Sequence, residues 1–320
     1  MDPHLAPSDH PTGVLPLAGW GLIVARGPDA GTFLQGQLTQ DVLSLSEHQA
    51  RLAGYCSAKG RLLATFVVLR GGLDEWWLAC SADLLAPTLK RLQMFVLRAR
   101  CKLSDGSGEQ RLWGLVGPAV QAACAEGAHA LAAPGAVVRM PSRTVVRLAD
   151  ADGMTRALLL QDPQAAPPQG PPLSERQWER YEVRSAVVRV QARTVEQFVP
   201  QMVNFELVGG VNFQKGCYPG QEVVARSQYR GTLKRRAYLY AVQSTGVAVH
   251  PGDAIYAADD PGQPAGTIAL AAAAPDDDGA WELLAETKIA AAEGSALHLG
   301  SAEGPLLRRL PLPYTLPAEA

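Results

Sequence analysis

The chain of 320 residues has no C-x-x-C pair, and its five cysteines (Cys56, Cys80, Cys101, Cys124, Cys217) form an odd, scattered set. That disfavours a disulfide framework or a structural zinc site and fits a reducing cytoplasm. None of the six histidines falls in H-x-x-x-H or H-E-x-x-H spacing, so no metal site is expected. A G-x-x-x-x-G-K-[ST] loop and a G-x-S-x-G elbow are also missing, which leaves nucleotide hydrolysis and a serine nucleophile without support. No run of 18 apolar residues is free of charges and breakers, so neither a transmembrane helix nor a membrane partner is expected. Met1 to Pro16 lacks a basic stretch followed by an apolar one and predicts no signal peptide. Basic excess is lacking too: 29 Lys and Arg against 31 Asp and Glu leave a net charge of -2. A generic nucleic-acid binder would be basic, so any anion site must be local.

Against these absences stand 47% hydrophobic and 19% charged residues, enough for a sizeable core, in a chain longer than a typical single domain. Leu17 to Ala25 reads as a strand, and Pro28-Asp29 opens a helix that places Phe33, Leu34 and Leu38 on one face. Arg51 to Tyr55, Arg61 to Leu69 and Trp76 to Cys80 form a meander, and Ser81 caps a helix over 83–98. A similar order recurs: strand Arg111 to Val116, helix Pro118 to Ala125, strands Val145 to Leu148 and Ala157 to Leu160, then a Ser174-capped helix from Glu175 to Val187. This predicts an α+β fold with a duplicated sheet-plus-helix core at 15–235, in halves of about 15–105 and 106–235. Gln161 to Pro172, with five prolines, is a linker. Short strands at 237–242, 254–256, 266–270 and 282–289 predict a small antiparallel β-barrel over 236–311, with tails at 1–14 and 312–320.

Chemistry concentrates in Lys215-Gly216-Cys217-Tyr218-Pro219-Gly220-Gln221-Glu222. A thiol in this glycine-bounded turn, two residues after a cation and just before a predicted helix start, is biased toward thiolate, below the free value of roughly 8.5. The plain alternative is a small residue packed in a turn. Tyr218 either stacks on a flat ring or closes the turn. Arg226, Arg230, Lys234, Arg235 and Arg236 concentrate positive charge within eleven residues. They suit carboxylates of a ligand tail, an acidic partner or an RNA backbone, or else form a solvated connection. Lys59 reads by physics alone as a solvated turn lysine. Gln35, Gln37 and Asp41 read as groups that satisfy a helix end, and Asp276-Asp277-Asp278 as a solvated tip.

The octet, with Phe198-Val199-Pro200-Gln201 and Asn204 before it and Tyr229-Arg230-Gly231 after it, resembles the signature of the YgfZ-type folate-binding proteins. These are relatives of the glycine-cleavage T-protein (aminomethyltransferase). Phe33-Leu34-Gln35-Gly36-Gln37-Leu38-Thr39-Gln40-Asp41-Val42 and Tyr55-Cys56-Ser57-Ala58-Lys59-Gly60-Arg61 resemble further motifs of that family, over about residues 15 to 300. The resemblance implies a protein that binds tetrahydrofolate, or a one-carbon derivative, in a central cavity. It also implies support for assembly or repair of iron–sulfur enzymes, with effects on the tRNA modification that depends on them. Its partners would be those enzymes or assembly proteins, or tRNA directly. Cys217 and Lys215 become the candidate thiol centre, and Lys59, Glu182, Tyr218, Gln221, Glu222, Arg226 and Arg230 the candidate folate contacts. The family usually shows an acidic residue where this chain has Arg184; the nearest carboxylate is Glu182, which a register adjustment brings into play.

Three functions stay open: an accessory protein without classical turnover, a folate-dependent aminomethyl or one-carbon transferase of the T-protein type, and a scaffold that binds a partner protein or tRNA and no folate. The T-protein branch carries no cysteine in the matching segment, so the octet favours the accessory branch.

Overall fold

The computed structural model describes residues 11–124, 127, 130–229, 233–274, 277 and 279–317. Its strands form three antiparallel sheets with flanking helices. The first has the order Ala50–Cys56, Leu62–Gly72, Glu75–Ser81, Trp20–Arg26, Lys102–Asp105. Within Trp20–Arg26, Leu22 and Val24 enter one core and Ile23 and Ala25 another, as the two-residue period of a strand requires. Both faces are buried, which explains a continuous apolar run in place of alternation.

The second sheet has the order Gly13–Pro16, Arg111–Val116, Arg156–Gln161, Arg143–Arg147, Val137–Met140. Gly13 and Val14, expected in a tail, pair here with Val116 and Leu115. Leu22, Val24 and Leu69 of the first sheet pack face to face with Val116, Leu158 and Leu160 of the second. Helix Pro118–Cys124 covers the outer face through Val120 and Ala123. Trp178 lies so close to Gly114 that a Cβ there would meet its ring at 2.6 Å, so only glycine lets the helix seat.

The third sheet runs Leu297–Leu299, Ala254–Ala257, Gly266–Ala273, Ala280–Lys288, Arg235–Gln243, Arg308–Leu310. A bridge between His298 and Leu306 draws its edges together, and the sheet curls as a half-barrel around Ile255, Ile268 and Leu283.

Ser174 caps helix Glu175–Arg184 as read from the sequence: its Oγ accepts from Gln177 N at 3.2 Å, and Gln177 Oε1 accepts from Ser174 N at 2.8 Å. The helix stops at Arg184 rather than Val187 because Ala186 turns to φ 51°. Ser81 precedes helix Ala82–Val96 in extended conformation, but its hydroxyl accepts from Arg189 instead of capping. Tyr314, placed in a frayed tail by the sequence reading, is docked. Its hydroxyl donates to Ala186 O at 3.0 Å and accepts from Asn204 Nδ2 at 3.2 Å. Asn204 takes the left-handed conformation (φ 56°, ψ 23°) and donates from Nδ2 to Ala237 O at 2.8 Å as well, joining the Phe198–Asn204 motif to the third sheet. Among the described residues no helix is long and apolar enough to cross a membrane.

Candidate functional site

A cavity of about 440 Å³ opens where the two five-stranded sheets meet the end of helix Glu175–Arg184 and the Leu207–Gly209 segment. Its walls are largely apolar, with Trp20, Leu52, Phe66, Val146 and Val188 among them. Four arginines (Arg51, Arg147, Arg156, Arg189) and one carboxylate, Glu182, interrupt that surface. The lining is therefore electropositive in a chain whose net charge is -2.

Each charge is held differently. Glu182 accepts from Arg189 Nε at 3.0 Å and Nη2 at 2.8 Å, a fork-to-fork pair. Arg189 also donates to Ser81 Oγ at 2.8 Å and lies 5.1 Å over the Trp20 ring. Arg51 is tied to Asp41 O and Ser44 Oγ. Arg147 pairs with Asp150 at 2.5 Å, but its Nε is buried with no partner. Arg156 has no ion pair among the described residues. Its guanidinium rests 4.6 Å from the Trp178 ring, Nη1 reaches Ala149 O at 3.5 Å, and Nε is buried and unpartnered. Burial pushes its pKa down to about 10, so it remains a cation at neutral pH. Unmet donors of buried cations cost free energy unless something anionic answers them. Chemically, such a lining suits a largely apolar molecule that carries negative charge.

The octet forms a second locus. None of its residues lines the cavity, so the folate contacts read from Tyr218, Gln221 and Glu222 lie away from that hollow. Cys217 is exposed, the one cysteine of the five that is. Burial pushes the Cys56 and Cys80 thiols up to about 12 and Cys124 to about 11. Tyr218 is buried with its hydroxyl raised, closing the turn, and is not free to stack on a ligand. Gln221 and Glu222 open helix Gln221–Tyr229, on which Arg226 is exposed; Arg230 lies outside the described residues. Lys59 is exposed at its hairpin tip, and the neighbouring Gly60 packs against Val223 and Gly220. Thus Lys59, Lys215, Cys217, Tyr218, Gln221, Glu222 and Arg226 belong to one hairpin–turn–helix neighbourhood, while Glu182 alone of the described sequence candidates reaches the cavity. Arg235 and Arg236 pair with Glu286 and Glu206 and do not form an open cluster with Lys234.

Lys215 does not serve simply as the thiol's counter-charge. Its ammonium donates to Gln35 O and to Leu38 O (2.6 Å), closing the C-terminal end of helix Ala30–Gln35, and lies 5.2 Å from the Tyr218 ring. Burial lowers its pKa to about 8, with Asp41 and Cys217 opposing the fall. The unfolded lysine holds its proton to about 10.5. Between those values the unfolded chain binds more protons, so this group makes stability rise with pH from about 8 upward. Lys215→Met should flatten that rise in urea unfolding measured from about pH 8 to pH 9.5.

No family model matches the chain. The tRNA-modifying protein YgfZ of Photobacterium profundum is 32% identical over 241 residues, 72% of this chain and 70% of that protein. The chain belongs to the YgfZ family. A second YgfZ, from Photorhabdus laumondii, is 29% identical over 322 residues, 98% of this chain and 96% of its own length. Among solved structures, glycine cleavage system aminomethyltransferase T from Bartonella henselae superposes with a TM-score of 0.66 at 14% identity, covering 93% of this chain and 85% of that one. The fold of this YgfZ chain is therefore of the aminomethyltransferase type, mixed α/β with several sheets.

In this YgfZ chain, Glu182 and Arg184 divide two tasks. Residues two apart on a helix point in nearly opposite directions. Glu182 faces the cavity, while Arg184 joins Arg180, Asp152 and Glu282 in an ion-pair cluster that ties the helix to strand Ala280–Lys288. Sequence reasoning missed Arg147 and Arg156, because nothing in a strand residue's neighbours marks a cation as inward. It also missed Thr39 and Gln40, whose side chains donate to Gly210 O and Gly209 O at 2.6 Å and so anchor the cavity rim to the segment that follows helix Ala30–Gln35. Gln35 does satisfy a backbone group, as expected: Oε1 accepts from Val42 N at 2.9 Å. Among the described residues no three His, Cys, Asp or Glu side chains converge as a metal site.

Proposed function

We propose that this protein binds a reduced folate in the cavity between its sheets and acts in the cytoplasm as an accessory factor for iron–sulfur enzymes, with consequences for tRNA modification. The observation that carries the reading is the set of four arginines and one carboxylate, Glu182, in a largely apolar hollow, with Arg156 held there by no ion pair among the described residues. These residues fit a folate: apolar walls for the pterin, a carboxylate for its N–H groups, and cations for the glutamate. At about 440 Å³ the cavity lies within the range of small-molecule sites, roughly 300–1,000 Å³. When bound, the folate supplies a nucleophilic amine able to carry a one-carbon unit. Glu182 is engaged by Arg189 through both oxygens, which favours a fixed acceptor over a free base and so the accessory role over transferase turnover. Two five-stranded sheets, each with its own helical cover, support reading the core as a duplicated unit and the third sheet as the small terminal barrel.

Calorimetric titration with tetrahydrofolate tests the ligand. Arg156→Met keeps bulk over Trp178 and should weaken binding by about 10–100-fold, the worth of one charge-assisted hydrogen bond. No heat of binding to the native protein would remove the folate. At the octet, exposed Cys217 is the thiol available to a partner. Cys217→Ser should bind tetrahydrofolate normally yet fail to complement a strain lacking the protein; full rescue would rule the thiol out.

A further inference from the structure

We propose that the last turns of helix Ala82–Val96 and the turn after it form a docking surface for RNA presented as a loop or single strand. The proposal rests on the tRNA-linked part of the reading above and not on the folate. From residue 84 to 104 the chain has no Asp or Glu, yet it carries Lys90, Arg91, Arg98, Arg100 and Lys102. In a protein of net charge -2, this is a local concentration of positive charge.

The fold keeps these cations together and turned outward. Lys90 and Met94, like Arg91 and Phe95, are four residues apart and so one above the other on the exposed face of the helix. Leu97 ends the helix at φ 43°, and Ala99 N donates to Val96 O at 2.8 Å, so the chain folds straight back. Gln93 Nε2 donates to Leu103 O at 3.0 Å, which brings the start of strand Lys102–Asp105 alongside the helix. Arg100 is occupied by Asp29, through two bonds of 3.1 Å. Lys90, Arg98 and Lys102 have no carboxylate partner among the described residues and are exposed; Arg91 is exposed too but hydrogen-bonds to the Tyr55 hydroxyl.

Between the cations the surface is apolar. Met94, Phe95 and Leu97 are 59%, 46% and 87% exposed, a cost in water that a monomer would shed unless something covers them. Unpaired cations interleaved with an exposed aromatic ring suit a phosphate backbone with unstacked bases, since each base has a face for stacking. An acidic peptide would answer the charge and leave Phe95 without a stacking partner. A bilayer would need a broader apolar face than one ring and two aliphatic side chains.

The test is fluorescence anisotropy with an unmodified tRNA transcript from about 50 to 200 mM salt. Lys90→Ala, Arg98→Ala and Lys102→Ala combined should lower affinity at least about tenfold and reduce the salt slope by about 2, at 0.7–0.9 per phosphate contact. Phe95→Ala should weaken binding about 5–150-fold, the worth of one base stack, with little change in slope. Both variants should melt like the native protein and titrate tetrahydrofolate normally. Equal affinity and slope for the native protein and the triple variant would overturn the proposal. So would binding to phosphatidylglycerol vesicles or polyglutamate with none to the transcript. A protein that binds the transcript through these residues but gives no heat with tetrahydrofolate would sink the folate reading and leave the RNA surface standing.

Discussion

Replacing Arg236 with methionine is expected to lower the unfolding free energy by about 3–5 kcal/mol, the cost of leaving a buried charge without its partner. Arg236 Nη1 donates to Glu206 Oε1 and to Gln201 O at 3.1 Å, and the two side chains are only 9% and 4% exposed. Burial already raises the Glu206 pKa, with Arg236 opposing it. Removing the guanidinium leaves Glu206 either ionised in a dry site or protonated at neutral pH. Either outcome favours the unfolded chain. Urea unfolding at pH 7.5 measures the loss. The double variant with Glu206→Leu should recover most of it, because replacing both partners with apolar groups is far milder than removing one. A single variant within 1 kcal/mol of native would mean that water reaches the pair.

Gly220→Ala should cost about 3–5 kcal/mol, at the severe end for a single methyl group. Gly220 has φ 78°, where an L side chain is disfavoured by roughly 1–2 kcal/mol. Its Cβ would also stand 2.3 Å from Ser57 O and 2.6 Å from Gly60 N, both backbone atoms that cannot rotate away. The octet and the Tyr55–Arg61 hairpin can touch only because both carry glycine at the contact, with Gly60 at φ 71°. Gly216→Ala is the control: nothing lies within 4 Å of a Cβ there, so its unfolding free energy should stay within about 0.5 kcal/mol of native. Equal losses in the two variants would show that the octet tolerates no side chain anywhere, whatever the contact.

Reading the octet as one chemical unit from the sequence left open whether its thiol is exposed or packed and misjudged its neighbours. Lys215 is two residues from Cys217, and proximity suggested a counter-ion; the structure spends its hydrogen bonds on Gln35 O and Leu38 O instead. The basic run from Arg226 to Arg236 looked like one patch because charge is visible in sequence while pairing is not. Arg235 and Arg236 are drawn inward by Glu286 and Glu206, residues 51 and 30 positions away. Lys90 to Lys102 drew no notice in sequence, because cations spaced along a helix look like an ordinary solvated face until the absence of partners is established in space.

Local signals were sufficient for most of the longer elements, whereas the short strands Gly13–Pro16, Lys102–Asp105, Val137–Met140, Leu297–Leu299 and Arg308–Leu310 left no readable pattern. The two-residue period of the strands, the Ser174–Gln177 capping box and the glycine-bounded turns depend on residues within a few positions of one another, and the motifs that mark the family are equally local. The cavity was decided only by tertiary structure. Its arginines come from positions 51, 147, 156 and 189 on strands of two sheets and a following segment, and its carboxylate from a helix end. Whether such a side chain faces solvent, a partner or a hollow depends on how the sheets stack, and stacking is a property of the whole apolar surface rather than of any window of sequence.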